Sequence, residues 1–180
     1  HAAVRSAGSK LSEDRRDAEP NLLDAVLCRA NDVDVTVRFQ AAFSLGESQD
    51  SRAAASLAKR VRSESDDPWM RAAILSSVAG PALHVFEELL ADADYAGSDN
   101  GRSLLEQLAQ MIGARHRPDE VNAVLETLAT SPTTSGDSAR QRQLLLAIAR
   151  PLAQSGHVLS VDAERAPAGA ELVAATVDEF

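Results

Sequence analysis

With 18 Lys and Arg against 27 Asp and Glu, this chain of 180 residues carries a formal net charge of −9, which disfavours nucleic acid and anionic lipid as partners. Its apolar residues are mostly Ala, Leu and Val, and aromatic residues make up only 3%, so we predict an all-α fold with closely packed helices. No apolar run approaches the roughly 18 residues that a membrane span requires. We therefore expect no direct membrane insertion.

Helical periodicity begins near the first residue. Residues 1–13 are predicted to form one helix and residues 19–31 a second, whose apolar face is Leu22, Leu23, Val26 and Leu27. Cys28 lies on the second helix, and as the single cysteine it excludes an internal disulfide and a multi-cysteine metal site. We interpret it as a small apolar residue at the surface or in the core rather than a reactive nucleophile.

Two stretches of the sequence are similar to each other. DVTVRFQAAFSLGE covers residues 34–47, and DPWMRAAILSSVAG covers residues 67–80. A third stretch, RSLLEQLAQMIG, ends at Gly113, and the interval from Gly80 to Gly113 equals the interval from Asp34 to Asp67. Such a regular period predicts a helical solenoid, in which each helical hairpin buries its apolar face against the next. The positions that repeat are Asp34 and Asp67, Arg38 and Arg71, and Gly46, Gly80 and Gly113.

These repeated positions have structural interpretations. Asp34 and Asp67 are predicted to cap the amino termini of two helices, with Pro68 at the first helical position of the second. Gly46 and Gly80 are predicted to end these helices in the left-handed conformation. The repeated acids and arginines could anchor a ligand, but we favour hydrogen bonds across turns and between repeats. The expected buried faces are Val37, Ala41, Ser44 and Leu45, and Met70, Ile74, Ser77 and Val78.

Each repeated helix has a predicted partner helix. The partners cover residues 50–63, 81–92 and 118–130, and each shows an apolar stripe at helical spacing. Because an isolated helix of this length is marginal in water, we expect every stripe to be covered by a neighbouring helix. The stripes are Ala53, Leu57, Ala58 and Val61; Leu83, Val85, Phe86, Leu89 and Leu90; and Val121, Val124, Leu125 and Leu128.

The pattern is less regular towards the carboxyl terminus. Residues 131–138 form a predicted loop, residues 139–156 a helix that Pro151 ends or kinks, and residues 162–180 a last amphipathic stretch. The whole chain, residues 1–180, is predicted to be a single α-solenoid domain.

The stretches DVDVTVRFQAAFSLGE and DDPWMRAAILSSVAG resemble HEAT repeats, a family that places an Asp, a Val-Arg pair, an Ala pair and Leu-Gly across its hairpins. Residues 19–130 carry the resemblance, and residues 131–180 match less well. The third repeat departs from the pattern because it has no Val-Arg pair. The resemblance implies a right-handed α-α superhelix of about four to five helical hairpins.

The same region is similar, more narrowly, to the HEAT segment of planctomycete-type membrane-bound dehydrogenases that carry a c-type haem domain. This resemblance implies a periplasmic or membrane-associated parent protein, in which the segment positions the haem domain relative to a dehydrogenase-like domain. Arg-Ala-Asn follows Cys28, so the Cys-x-x-Cys-His haem motif is missing. We expect haem c only elsewhere in the parent chain, and the start at His1 rather than Met agrees with a fragment.

The charged residues of the partner helices are the candidate interaction surface, because HEAT-like solenoids place those helices on the concave face. The alternative is an ordinary solvated face. Trp69 could be a contact residue for a protein partner, but we expect it to pack against the preceding helix. The candidate surface residues are Lys59, Arg60, Arg62, Glu87 and Glu88.

The sequence shows no clear metal site. Residues 92–100, DADYAGSDN, have Asp and Gly at some positions of a calcium-binding loop, but Ser103 stands where a bidentate Glu is required. We therefore predict a solvated loop between helices. One histidine, His116, is expected in a loop near a helix carboxyl terminus. The histidines are too far apart in sequence to form a local ligand set: His1, His84, His116 and His157.

Two classes of function compete. A non-catalytic scaffold, whose partner is another protein or a neighbouring domain of the same chain, follows from the repeats and from the missing catalytic constellation. The alternative is a HEAT-like enzyme that excises damaged bases or attaches pigments. Base excision requires a basic groove lined by aromatic or carboxylate residues, which one Trp, one Tyr and a net charge of −9 do not favour. We expect no catalytic, cofactor-binding or metal site in this segment.

Overall fold

The computed structural model describes residues 20–48, 50–64, 67–78, 80–131, 137–157 and 159–177. Within these ranges every regular element is an α-helix, which confirms the all-α prediction. The helix predicted over residues 1–13 lies outside the described residues, as does the centre of the predicted loop, residues 132–136. The chain clusters into two compact units, residues 1–85 and residues 86–180.

The described residues contain ten helices, and most begin and end close to the predicted boundaries. The helix predicted over residues 118–130 has those bounds in the structure. The helices are α1 (Pro20–Arg29), α2 (Val35–Gly46), α3 (Ser51–Ser63), α4 (Pro68–Ser77), α5 (Ala82–Leu90), α6 (Ala93–Gly97), α7 (Asp99–Ala114), α8 (Pro118–Thr130), α9 (Ser138–Gln154) and α10 (Pro167–Val177).

Aspartates begin the central helices of the first unit, as the sequence predicts. Asp34 Oδ1 accepts a hydrogen bond from the Thr36 amide at 2.9 Å, and Asp67 Oδ1 accepts one from the Trp69 amide at 2.9 Å. Asp50 caps α3 in the same way. Each cap satisfies an amide that has no partner within its helix, which stabilises the protein by about 1 kcal/mol.

The apolar faces predicted for α2, α3 and α4 form the core of the first unit. In α1 only part of the predicted face is covered: Leu23 and Val26 are buried, whereas Leu22 and Leu27 are partly exposed. The stripes of α2 to α4 therefore have the helical period expected of buried faces. The buried residues of these stripes are Val37, Ala41, Ser44, Leu45, Ala53, Leu57, Ala58, Val61, Met70, Ile74, Ser77 and Val78.

Helices α2 and α4 run side by side in the same direction. At one end, Arg38 in the first turn of α2 contacts Glu64, which lies shortly before the start of α4. At the other end, Gly46, the last residue of α2, lies against Ser77, the last residue of α4. Because one contact lies near the starts of both helices and the other at their ends, the two helices are parallel.

Gly46 does not have the left-handed conformation that the sequence predicts for it. It is the last residue of α2 and has no positive φ, so that interpretation is wrong. Gly113, for which the sequence predicts no such conformation, lies in the last turn of α7 and has no positive φ either. The residue after α2, Glu47, is also right-handed, with a φ of −84°. Gly80 lies in the turn between α4 and α5.

Close approach of two helix backbones explains the glycine at both positions. A Cβ atom on Gly46 would lie 2.2 Å from the Ser77 carbonyl oxygen, and a Cβ atom on Gly113 would lie 2.3 Å from the Ile148 carbonyl oxygen. Both distances are far below van der Waals contact, and only a residue without a side chain avoids them. The glycines mark places where α2 meets α4 and where α7 meets α9.

In the second unit, α7 lies along α9. Gln143 Nε2 of α9 donates a hydrogen bond to Glu106 of α7 at 3.2 Å, and further along both helices Ile148 meets Gly113. The order of these contacts shows that α7 and α9 run in the same direction. Their contact is the most extensive between any two helices in the described residues.

Helices α8 and α10 form a second pair of this kind. The buried Asn122 accepts a hydrogen bond from the Asp162 amide at 3.1 Å, just before α10 begins. Glu126, one turn further along α8, accepts one from the Gly169 amide at 3.0 Å. In the second unit, therefore, helices that are two apart in sequence lie beside each other.

One local prediction is wrong in the second unit, and one of the two effects predicted for Pro151 is excluded. Residues 92–100 are not a loop: Asp92 accepts a hydrogen bond from the Tyr95 amide at 3.0 Å and begins α6. The next helix, α7, begins at once, with Ser98 as its cap. Pro151 does not end α9 either, because the helix continues to Gln154. The caps lie in a segment rich in Asp, Ser and Gly, residues that also favour loops.

Candidate functional site

The predicted charged surface is divided between the two units. Lys59, Arg60 and Arg62 lie on α3, with Lys59 exposed and the two arginines partly buried. Glu87 and Glu88 lie on α5, the first partly buried and the second exposed.

Arg60 makes its contacts within its own unit, and its side chain is mostly shielded from solvent. Its Nη1 donates to Glu64 Oε1 at 2.9 Å, and both side chains are only 16% exposed. Arg38 Nε lies 2.8 Å from the same oxygen, as an ionic contact that is not aligned as a hydrogen bond. The three residues link the end of α3 to the start of α2. We therefore assign Arg60 a structural role.

Arg38 supports the structural interpretation of the repeated positions. Its Nη1 donates to the carbonyl oxygens of Asp32 at 3.0 Å and Val33 at 3.1 Å, which tie α2 to the turn before it. Asp34 caps α2 through its own side chain. The repeated acid and arginine thus make hydrogen bonds across turns, as expected, and Arg38 contacts the neighbouring helix through an ion pair with Glu64. Among the repeated positions, Asp67 acts as a cap and Arg71 is a partly buried residue of α4.

The first unit exposes a group of large apolar side chains at the starts of α2 and α4. Val33 is 95% exposed, Val35 is 44% exposed and Trp69 is 75% exposed. Because α2 and α4 run in the same direction, their starts lie at the same end of the pair. We call Val33, Val35 and Trp69 the apolar edge.

The prediction that Trp69 packs against the preceding helix is wrong. The buried stripe of α4 is centred on Met70, Ala73, Ile74 and Ser77. At 100° per residue, Trp69 lies about 90° from the centre of that stripe. It is also in the first helical turn, where Asp67 binds its amide and no earlier turn covers its ring. From the sequence periodicity alone, Trp69 could be assigned to the margin of the buried stripe. Its exposure to solvent could not be predicted in this way.

The structure brings together two histidines that are distant in sequence. The rings of His116 and His157 stack with their centroids 4.5 Å apart and an interplanar angle of 29°. His116 follows α7, as the sequence predicts, and has a φ of +53°. His157 follows α9. Because α7 and α9 run in the same direction, the residues that follow the two helices lie close together. We call His116 and His157 the imidazole pair.

A cavity of about 90 Å³ adjoins the imidazole pair. Its walls are mainly aliphatic, and its polar side chains are the two imidazoles and one hydroxyl. His116 Nε2 is buried and has no hydrogen-bond partner within the described part of the chain. The residues that line the cavity are His116, Pro118, Val121, Leu152, His157 and Ser160.

A second cavity, of about 270 Å³, lies between the first turns of α7 and α9. Arg102 and Arg140 line it, but Arg140 Nε lies 3.5 Å from Asp137, and Asp137 lines the same cavity. Glu106 lies next to it and accepts a hydrogen bond from the lining residue Gln143. The positive charge of the two arginines is therefore largely compensated, and an anion gains little there.

Comparisons with models of protein families, with characterised proteins and with solved structures found no match to this chain. In the described part of the chain, no three His, Cys, Asp or Glu residues converge as a set that could hold a metal ion. None of the helices described is both long enough and apolar enough to cross a membrane. Cys28 is exposed on α1, in agreement with a surface position.

Proposed function

We propose that this chain is a HEAT-like α-solenoid segment that serves as a non-catalytic scaffold for protein interactions within a larger protein. Its partner is another protein or a neighbouring domain of the same chain. The residues of this segment contribute geometry and a contact surface, and the segment contributes no cofactor.

The pairing of helices supports the solenoid part of the proposal. In HEAT-like solenoids each helix lies beside the helix two positions along the chain, so the repeats stack on one another. The pairs α2 with α4, α7 with α9 and α8 with α10 follow this rule inside their units. Gly46 and Gly113, which recur in the sequence pattern, lie at two of these contacts. At these two positions the recurring glycine coincides with a contact between helices that are two apart in sequence, which supports the proposal.

The apolar edge is the observation that supports the interaction function. Tryptophan is among the residues that contribute most to binding at protein interfaces, because a large rigid ring is desolvated at small entropic cost. Trp69 and Val33 are largely exposed although the side chains inside the same unit are almost completely buried. Large exposed apolar residues at the same end of a helix pair are candidates for a surface that binds a partner. A structural role does not explain their exposure.

A photocrosslinking experiment tests the proposal. We would place a photoreactive phenylalanine derivative at Trp69 in the parent protein, and in a matched control at Leu146, which is exposed on α9. We expect a discrete crosslinked product from position 69 and none from position 146. If the product joins two polypeptides, excess unlabelled chain should suppress it, whereas excess Trp69→Ala chain should not. A product within one polypeptide identifies a neighbouring domain as the partner, and neither competitor should affect it. Equal labelling at both positions, or no product at either, would contradict the proposal.

The narrower proposal is that this scaffold positions a c-type haem domain relative to a dehydrogenase-like domain. It rests on the resemblance of the repeats. The intact mass of the native polypeptide and a haem-stained gel decide it. A much larger, haem-positive chain is expected, and a haem-free polypeptide no longer than this chain would contradict it.

A further inference from the structure

We propose that Asn100 is a site of spontaneous deamidation, and that the Ser98 hydroxyl controls the rate by holding the backbone amide that attacks the Asn100 side chain. The site lies where α6 meets α7 in the second unit, whereas the apolar edge belongs to the first. It does not depend on the scaffold function, and each proposal can fail without the other.

Asn100 has the most reactive sequence context among the asparagines of this chain. Of Asn21, Asn31, Asn100 and Asn122, only Asn100 precedes a glycine. Deamidation begins when the backbone nitrogen of the following residue attacks the side-chain carbonyl carbon, and a glycine leaves that nitrogen unhindered. Asn100 is also partly exposed, so the site is accessible to water.

The reaction requires only water and hydroxide as co-reactants. The Gly101 nitrogen gives its proton to hydroxide and forms a bond to Cγ of Asn100, and the side-chain nitrogen leaves as ammonia. The resulting succinimide takes up one water molecule and opens at either carbonyl group, which gives aspartate or isoaspartate. Overall, an amide and water become a carboxylate and ammonium, and no group is oxidised or reduced.

The fold requires the glycine that makes Asn100 reactive. Gly101 is buried, and a Cβ atom at this position would overlap the Tyr95 carbonyl oxygen of α6. The close approach of α6 and α7 therefore excludes every side chain at position 101. The packing of the two helices thus imposes the Asn-Gly dipeptide, and protection has to come from elsewhere.

Ser98 holds the nitrogen atom that would attack. The amides of the first helical turn have no partner within the helix, and the Arg102 amide is the one that donates to the Ser98 carbonyl oxygen, at 2.9 Å. The Gly101 amide donates instead to Ser98 Oγ at 3.0 Å. That hydroxyl donates in turn to the Tyr95 carbonyl oxygen at 2.7 Å, which fixes its position.

Attack therefore requires the first turn of α7 to open. In a helix the side chains point towards the amino terminus, so the Asn100 carbonyl carbon is directed away from the Gly101 nitrogen. Local opening of the turn breaks the bond to Ser98 Oγ and frees both groups. Because the Ser98 cap stabilises the closed turn, it lowers the population of the reactive form.

Isoaspartate at position 100 is incompatible with this helix junction. It adds one methylene group to the main chain before Gly101, which displaces Gly101 from Ser98 and from the tight contact with Tyr95. Helix α7 makes the most extensive helix contact in the described residues, so the modified chain should unfold at lower denaturant concentration. The cap therefore protects the packing of the second unit.

Incubation at mildly alkaline pH, followed by peptide mapping with mass spectrometry, measures the rate at Asn100. We expect the native chain to react at least about tenfold more slowly than the same chain unfolded in urea. Ser98→Ala should accelerate the native reaction by roughly threefold to tenfold, because loss of a cap favours the open turn by about that factor. Ser98→Thr keeps a capping hydroxyl and should retain most of the protection. The control Asp34→Ala removes the cap of α2 in the first unit and should leave the rate unchanged.

Acceleration by Ser98→Ala, with rates close to that of the parent chain in Ser98→Thr and Asp34→Ala, supports the proposal. Equal rates in the parent chain and Ser98→Ala overturn it, as do equal rates in the native and the unfolded chain. Acceleration by Asp34→Ala as large as that by Ser98→Ala also overturns it and assigns the reaction to global unfolding. Circular dichroism identifies a variant that fails to fold, and the comparison of native with unfolded parent chain requires no variant.

Discussion

Gly46 and Gly113 show how the contact between two helices excludes every side chain at one position. Both residues belong to the last turn of a helix, where glycine is less favourable than alanine by up to about 1 kcal/mol. The sequence nevertheless repeats glycine there, because a Cβ atom would collide with the carbonyl oxygen of a neighbouring helix. The gain from close helix contact therefore exceeds the local loss of helix propensity.

We predict that Gly46→Ala destabilises the protein by about 1–3 kcal/mol or more, as overpacking of a tight contact does. The added methyl group would lie 2.2 Å from the Ser77 carbonyl oxygen, a backbone atom that cannot turn away. Gly97→Ala is the matched control, since its Cβ atom would meet nothing closer than a flexible Arg140 nitrogen at 3.9 Å. Denaturant unfolding of both variants gives the comparison, and equal stabilities would refute the close-approach interpretation.

A hydrogen bond from an arginine also lowers the pKa of one aspartate that caps a helix. Arg52 donates to Asp50, the cap of α3, at 2.9 Å, and this bond holds the pKa of Asp50 below its ordinary value. The same carboxylate raises the pKa of Arg52. Because the pKa of Asp50 is lowered in the folded state, its contribution to stability is present above the unfolded pKa. That contribution is lost as the pH falls through the folded value.

Between elements, the cluster of Arg38, Glu64 and Arg60 holds the end of α3 against the start of α2. One carboxylate oxygen contacts both guanidinium groups, and the side chains are 16–19% exposed. Such partly buried charges are less screened by water than surface pairs, so removal of one leaves the others poorly solvated. An exposed pair, Arg52 with Asp24, offers a comparison, since its side chains are at least half exposed.

We predict that Glu64→Gln lowers the free energy of unfolding by about 1–3 kcal/mol, because charged hydrogen bonds of this kind contribute about that much. Removing a negative charge from the end of α3 returns only about 0.3–1 kcal/mol through the helix dipole. Asp24→Asn should cost less than about 1 kcal/mol. Thermal and denaturant unfolding of the two variants check the order, and the reverse order would remove the structural role assigned to the cluster.

At the scale of the whole molecule, the prediction of a single domain implies that the whole chain unfolds cooperatively. The chain clusters into two compact units, each with its own buried side chains, and Leu45 is fully buried in the first. A single cooperative domain would unfold both units in one transition, whereas independent domains would unfold in two.

We predict that Leu45→Ala lowers stability by about 2–5 kcal/mol, through lost burial and the cavity left behind. Leu146→Ala, at a half-exposed position of α9, should cost much less. The buried Tyr95 reports unfolding of the second unit, and amide hydrogen exchange measured residue by residue follows the two units separately. If Leu45→Ala shifted only the transition of the first unit, the single-domain prediction would fail.

Much of the helical framework is predictable because its causes are local. The caps at Asp34 and Asp67 and the stripes of α2 to α4 depend on residues within one or two turns, and those residues are adjacent in the sequence. The same reasoning failed at residues 92–100, where capping residues and loop residues are chemically the same. In this segment the local preferences for helix caps and for a loop are nearly equal, so they do not predict which structure forms.

The candidate sites depend on contacts between distant residues. Whether Trp69 is covered depends on which helix lies next to the first turn of α4, and the meeting of His116 with His157 depends on α7 and α9 running side by side. The reason for glycine at position 46 is likewise its close contact with Ser77, which belongs to a different helix. Composition and periodicity determine which residues form helices and which face of each is apolar. The packing of those faces decides which side chains meet, because contacts over such separations carry no local signal in the sequence.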